Sequence, residues 1–434
     1  MKYSKYPSYK DSGVEWLGEV PEHWELWKTR HAFSTIGSGT TPASNNDSYY
    51  SGDTAWVTTG ELRENLITST KKLLTTRAIR EYTALTIFPE NSVVIAMYGA
   101  TIGRLGILGV KATTNQACCV ITNSKIINND YLYYWLMGCR NEIISLANGG
   151  GQPNISQDTI ASLKISTPKI QEQKAITNFL DKKTAKIETL IQKQSKLIEL
   201  LKEKRQAVIS HAVTKGLNSN VPMKNSGVEW LGDIPEHWEL GLLSVLFDNN
   251  KVKNTGMLNN NLLSLSYGKI IKKNIETTFG LLPESFETYQ IVKPGYIILR
   301  LTDLQNDKKS LRTGLVTQEG IITSAYVGLK KKSKSIGNES FIHYYLHTFD
   351  IFKGFYGMGS GVRQSLIFDE LKKLKIVLPP LAEQDTIVKF INDTILRIDN
   401  LISKSEKSIE LLKGKRTALI SATVTGKIDV RESA

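Results

Sequence analysis

Residues 11–26 read DSGVEWLGEVPEHWEL, and residues 225–240 read NSGVEWLGDIPEHWEL. Only Asp11/Asn225, Glu19/Asp233 and Val20/Ile234 differ among the 16 paired positions, and Trp16 to Trp230 sets the offset at 214. A long-period repeat constrains architecture more than any local propensity, because each copy has to fold as the same unit. The likeness returns near the end of each half. Residues 187–201, IETLIQKQSKLIELL, match residues 398–412, IDNLISKSEKSIELL, at an offset of 211. It continues through Lys204-Arg205 and Lys415-Arg416 to Val213-Thr214 and Val424-Thr425. Between these ends the halves diverge, so a duplicated frame encloses two different contents.

The terminal blocks are helical by pattern. Ile187, Leu190, Ile191, Leu197, Ile198, Leu201 and Val208 fall on a stripe of period about 3.5, as do Ile398, Leu401, Ile402, Ile409, Leu412 and Leu419. Pro168 and Pro379-Pro380 mark the starts and Gly216 and Gly426 the ends, which gives helices of roughly 40 residues, or about 60 Å. A single helix cannot bury such a stripe. The simplest arrangement pairs the two helices with each other, antiparallel, because the chain returns through a whole module between them.

The divergent contents, residues 27–165 and 241–376, read as mixed α/β. The runs SVVIAMYG (92–99), ACCVIT (117–122), GYIILRLT (295–302) and AYVGLK (325–330) read as strands between turn residues. Each content also carries one aromatic amphipathic helix, near residues 130–137 and 340–347. The expected fold is α+β: two mixed α/β domains separated by two long antiparallel helices forming a coiled coil, with internal pseudo-twofold symmetry. The expected segments are 1–166, a central helix 167–216, a linker 217–224, 225–377, and a C-terminal helix 378–434.

A chain of 434 residues accommodates two to four domains. Its 55 Lys and Arg against 42 Asp and Glu give a formal charge of +13, which suits a polyanion such as nucleic acid. Cys118, Cys119 and Cys139 are the only cysteines, and their spacing fits neither a disulfide framework nor a zinc site. They read as buried thiols in a reducing compartment. The opening MKYSKYPSYKDSG has no apolar stretch, and no run is long enough to cross a bilayer, so a cytoplasmic protein is expected.

Catalytic equipment is missing. The only Pro-Pro, Pro379-Pro380, lies at a helix start rather than in a methyltransferase-type Asp/Asn-Pro-Pro-aromatic tetrapeptide. The sequence also holds no Gly-x-x-x-x-Gly-Lys-Ser/Thr phosphate loop. Asp369, Glu370 and Lys372 imitate a nuclease cluster, but FDELKKLK has the spacing of an amphipathic helix with a charged face. His343 and His347 stand four apart without the Glu that a zinc protease requires. The repeat places Tyr133 opposite His343 and Met137 opposite His347, so the equivalent helix lacks both imidazoles. No catalytic residue and no metal site are expected.

Four features together resemble the specificity (S) subunits of bacterial type I restriction-modification systems. They are the twice-used SGVEWLG-x-x-PEHWEL, the duplicated helix with its Lys-Arg pair, the loop MYGATIGRLGI (97–107), and the loops GGGQPNIS (149–156) and GSGVRQSL (359–366). The block TPASNNDSYYSGDTAWVTTGEL (41–62) is similar to the start of many such recognition domains. The resemblance spans essentially the whole chain. It implies two target-recognition domains reading the halves of a bipartite, asymmetric DNA target, helices that set the unread gap, and a frame that docks two methyltransferase (M) subunits. Restriction (R) subunits join through that complex. It implies no cofactor in this chain, with S-adenosylmethionine, ATP and Mg belonging to the partner subunits. The competing reading is a non-catalytic coiled-coil scaffold, or a standalone DNA-binding protein that reads no sequence.

Base readout calls for Arg or Lys against guanine and Asn or Gln against adenine, with phosphate contacts fixing register. On that basis the candidates in the first content are Thr59, Glu61, Tyr98, Thr101, Arg104, Gln116, Gln152 and Asn154. Those in the second are Ser266, Tyr267, Arg300, Thr302, Asp303, Gln305, Arg312, Tyr326 and Arg363. Lys308, Lys309, Lys330, Lys331, Lys332 and Lys334 are candidates for phosphate contacts or for a solvated face. Trp16, His23, Trp24, Trp230, His237 and Trp238 sit in the shared frame. They serve either a partner interface or the packing of each domain on a helix.

Overall fold

The two long helices are Ile170–Lys215 and Leu381–Val424, and neither belongs to one domain. The computed structural model describes residues 3–147, 153–276, 285–307, 311–333, 335–358 and 365–432. The chain divides into two compact units, Met1–Ser195 with Glu406–Ala434, and Lys196–Ser405. Each unit takes half of each long helix. The helices are numbered α1 (Asn129–Gly138), α2 (Ile170–Lys215), α3 (Glu339–Ile351) and α4 (Leu381–Val424).

Antiparallel pairing is visible inside each unit. In the first, Ile176, Phe179 and Leu180 from the start of α2 share a core with Ile420 and Val424 from the end of α4, and Glu188 meets Arg416 at 3.0 Å. In the second, Leu201 packs with Ile398 and Ile402, Arg205 meets Asp399 at 3.0 Å, and Gly216 lies against Glu383. Gly216 and Gly426 end the helices at φ +79° and +75°, the left-handed conformation that glycine adopts at little cost. The seam is narrower than the sequence stripe. Ile187, Ile191, Leu201, Ile398 and Ile402 are buried, whereas Leu190, Leu197 and Leu401 are exposed.

The first unit holds a five-stranded mixed sheet made of β1 (Thr35–Gly37), β2 (Asn65–Ile67), β3 (Val93–Ala96), β4 (Leu105–Leu108) and β5 (Cys118–Thr122). Their order is β1-β5-β3-β4-β2, and only β2 and β4 pair parallel. Period-two alternation sends Val93, Ile95, Cys119 and Ile121 into one core and Val94, Ala96, Cys118 and Val120 into another. The adjacent cysteines therefore face opposite sides of one strand, which accounts for their spacing. The second unit has four antiparallel strands, β6 (Phe247–Asn249), β7 (Ile297–Leu299), β8 (Thr313–Leu315) and β9 (Val327–Lys331), in the order β6-β9-β7-β8. α1 lies on β3 and β4, and α3 lies on β8.

Each content is closed by a two-stranded zip. Glu25–Lys28 pairs with Lys164–Thr167 in the first unit, and Glu239–Leu242 with Lys375–Leu378 in the second. These pairs lie at the borders where the sequence halves begin to diverge, so the frame can hold unrelated interiors without changing its own geometry. Among the described residues no helix is long and apolar enough to cross a membrane.

Candidate nucleic-acid interface

The residues chosen for base-reading chemistry gather at the same edge of each sheet. In the first unit this is the edge where β3 ends and β5 begins, since Ala96 is registered against Cys118. The β3–β4 connection carries Tyr98, Thr101 and Arg104, with Gly99 and Gly103 at φ +72° and +71°. Tyr98 forms an isolated bridge with Asn154, and its hydroxyl donates to the carbonyl of Gln116. Gln116 in turn accepts from the Thr41 hydroxyl at 2.7 Å. The turn with Thr59 and Glu61 joins the same rim, because the Asn115 amide donates to Val57 at 3.0 Å. Glu61 is engaged locally, accepting from the amide and hydroxyl of Thr58 at 2.9 and 2.5 Å.

In the second unit β7 ends into a loop with Arg300, Thr302, Asp303 and Gln305, and Tyr326 immediately precedes β9, whose Val327 pairs with Leu299. Ser266 and Tyr267 belong to the tip of a hairpin, Leu263–Ser266 with Lys269–Lys272. Gly268 rests on Leu311 at the same edge. Tyr267 is 88% exposed and has φ +46°, an uncommon conformation for a non-glycine residue. The two units also share a loop-on-strand bond: Ile155 N–H donates to Met97 at 2.8 Å, and Leu366 N–H to Leu301 at 2.9 Å.

Several candidates are turned inward, already paired or away from that edge. Arg312 is 0% exposed, with its guanidinium spent on internal acceptors, so it does not present itself to a base. Arg300 is paired with Asp307. Lys331 and Lys332 stand at the far end of β9, against Glu339 and Asp248 at 3.4 Å each. Gln152, Arg363, Lys308, Lys309, Lys334 and most of the two glycine-rich loops lie outside the described residues.

The frame repeats down to single atoms. Tyr9–Asp11 pairs with Glu19–Pro21, and Met223–Asn225 with Asp233–Pro235, in the same register. In both turns the first side chain, Asp11 or Asn225, accepts from the glycine amide two residues on, at 2.9 or 2.7 Å. That bond needs only a side-chain carbonyl oxygen and so tolerates the Asp/Asn difference. Trp16 packs on Trp135, while Trp230 packs on Tyr345, Phe349 and Phe352. The indole of Trp24 donates to Glu172 Oε1 at 3.0 Å, and that of Trp238 to Glu383 Oε1 at 3.1 Å. His23 and His237 take the other carboxylate oxygens at 2.9 and 2.8 Å. Trp24 and Trp238 are fully buried, which corrects their place among partner-facing residues: they pin each hairpin to a long helix. His23 and His237 remain exposed.

The family described as "Type I restriction modification DNA specificity domain" matches residues 21–200 and 311–411. The chain belongs to this family. It is 26% identical over 448 aligned positions to the type I restriction enzyme MjaVIII specificity subunit of Methanocaldococcus jannaschii, covering 99% of this chain and 98% of that one. A shorter match, 25% identical over 189 positions, reaches the EcoR124I/EcoR124II specificity subunit of Escherichia coli and covers 42% of this chain and 45% of that one. Among solved structures, the HsdS subunit of Thermoanaerobacter tengcongensis aligns at TM-score 0.55 and 13% identity, over 94% of this chain and 98% of that one. A chain from a study of complex assembly and conformational transition of the type I R-M system aligns at 0.64 and 15%, over 93% and 98%.

Within this specificity-domain frame Glu172-Gln173 and Glu383-Gln384 are functional residues that were not among the candidates chosen from the sequence. Gln173 and Gln384 are buried, and each side-chain oxygen accepts, at 2.8 Å, the amide of the asparagine that caps the aromatic helix, Asn128 or Asn338. Their amide nitrogens donate to Pro168 and Pro379, also at 2.8 Å. The signal was available, because the Glu-Gln dipeptide recurs at the helix offset of 211. Lys372 is bound to Asp369 at 2.7 Å on the short helix Phe368–Leu371. His343 is half-buried, with its Nε2 enclosed and unpartnered, and His347 Nε2 lies 3.1 Å from Gln206. Among the described residues no group of three or more His, Cys, Asp or Glu could hold a metal ion.

Proposed function

We propose that this specificity-family chain is the non-catalytic DNA-sequence reader of a type I restriction-modification complex. Each content reads one half of an asymmetric bipartite target, and the paired helices set the gap. The observation that carries this reading is one frame, repeated to the level of single hydrogen bonds, that presents two unlike reader edges at equivalent strand ends.

The same frame supports docking of two methyltransferase subunits. Leu190 and Leu411 are exposed in the first unit, and Leu401 and Leu200 in the second. Leu401 corresponds to Leu190, and Leu411 to Leu200, at the helix offset of 211. Exposed apolar residues repeated in this way offer one partner the same surface twice. Restriction subunits enter through that assembly. S-adenosylmethionine, ATP and Mg act in the partner subunits, where the chemistry resides.

Co-expression with the cognate methyltransferase, followed by mapping of modified adenines across a genome, tests the reading. One asymmetric, gapped motif is the expected outcome. Methylation without any such motif would overturn it.

A further inference from the structure

The second unit encloses an arginine whose donors are all committed. Arg312 Nε donates to the Tyr356 hydroxyl at 3.2 Å. Nη1 donates to the carbonyls of Arg300 and Thr302 at 3.1 and 2.8 Å, and Nη2 to those of Asp303, at 3.3 Å, and Asp307. These five bonds use the full donor set of a guanidinium. The Arg312 backbone amide is held as well, by Asp350 Oδ2 at 2.7 Å. Burying a permanent cation is costly unless every donor is answered, so an arginine at 0% exposure is poorly explained as filler. An apolar side chain would fill the space without that cost.

All four carbonyls belong to one stretch, residues 300–307, at the reader edge of the second sheet. Leu301 and Leu304 anchor this loop in the core, while Gln305 and Asn306 are exposed. Asp303 is held at φ +56°, and its carboxylate accepts from Asn306 Nδ2 at 2.8 Å. Left-handed backbone at a non-glycine residue persists only where the surroundings determine it, and here the guanidinium takes the Asp303 carbonyl itself. The exposed carboxamides are the groups that pair with adenine in the major groove.

We propose that Arg312 is the positioning residue of the second reader: its guanidinium fixes loop 300–307 in the shape that offers Gln305 and Asn306 to a base edge. This rests on the reading of that edge as a DNA-reading edge. Among the described residues of the first unit no buried arginine plays this part. Its loop 97–104 is shaped by Gly99 and Gly103 and by backbone bonds such as Gly103 N–H to Ala96 at 2.8 Å. The effect of Arg312 is therefore confined to one half of the target.

The test uses the assembled complex with its methyltransferase, at fixed salt, on the target duplex and on duplexes substituted singly in either half. Arg312→Lys keeps the charge but has one nitrogen with three donors, too few to span four carbonyls. Since one wrong base pair costs about 1–3 kcal/mol in specific complexes, discrimination against second-half substitutions should fall by about tenfold. First-half discrimination and binding to unrelated duplex should not change. Tyr356→Phe, which removes the Nε partner and the hydroxyl's own bond to the Asp307 carbonyl at 3.4 Å but leaves the four guanidinium–carbonyl bonds, should produce a smaller loss in the same half, and it decides the matter by the same comparison if the lysine variant fails to assemble. Full second-half discrimination in an assembled variant, or equal losses in both halves, would overturn the inference. A wild-type complex that discriminates in neither half would instead overturn the reading on which it rests, and the inference with it.

Discussion

Replacing Glu172 by alanine probes the frame where its chemistry is most concentrated. Glu172 Oε1 accepts from the Tyr6 hydroxyl at 2.8 Å and from the Trp24 indole at 3.0 Å, and both donors belong to buried side chains. Burial, and then the charge of Glu172, push the Tyr6 hydroxyl well above the ordinary phenol range, so it remains a donor at every working pH. Alanine leaves two buried donors without an acceptor, at about 1–3 kcal/mol each, so the first unit should lose about 2–6 kcal/mol. Glu383 gives the matched comparison. It holds one buried donor, the Trp238 indole, and its side chain is 30% exposed against 9% for Glu172. Glu383→Ala should therefore cost the second unit only about 1–2 kcal/mol. Thermal unfolding with hydrogen exchange read separately in each unit measures the difference, at roughly 2–4 °C per kcal/mol for units of this size. Equal losses below about 1 kcal/mol in both variants would refute the claim that these carboxylates pin the hairpins to the helices.

The second unit should be selectively acid-sensitive. Burial pushes His343 down to about 3 and His347 to about 4, with His347 and Arg205 as the respective neighbouring contributors, against about 6.5 in the unfolded chain. The unfolded state takes up these protons first, so stability is intact above pH about 6.5. It falls as pH drops toward 4, by up to about 1.4 kcal/mol per pH unit per histidine. His347→Met, which installs the first unit's residue, should about halve that slope in urea midpoints measured across this range, and an unchanged slope would contradict the assignment. Burial also raises the thiols of Cys118 and Cys139 far above their ordinary value and that of Cys119 to about 12. A thiol reagent at pH 8 should consequently modify none of them until the protein is denatured, and prompt labelling of any one would count against their burial. Tyr267→Ala should change stability by less than about 0.5 kcal/mol, as exposed substitutions do, while weakening target binding by the assembled complex. Unaltered binding would remove the hairpin tip from the interface.

The repeat, the helix ends at proline and glycine, and the aromatic helices were legible because they depend on local rules and on the duplicated pattern. The apolar stripe was only half legible. Leu190 and Leu401 share the period of Ile187 and Ile398, but an antiparallel pair buries a narrow seam, and periodicity does not separate that seam from a face left exposed. Arg312 shows a different limit: a guanidinium that suits guanine suits a set of inward carbonyls equally well, and only the three-dimensional position decides between them. The strand order was not legible either. Strands of three or four residues carry little signal, and the mixed sheet depends on partners far apart in sequence, such as β2 and β4.

If two unlike contents hang independently on one repeated frame, exchange of a content is the most direct test. Residues 241–376 would be replaced by the corresponding content of another family member, and adenine methylation mapped genome-wide for both complexes. One half of the motif should change while the other half and the gap are retained. A change in both halves, or no change at all, would contradict that independence.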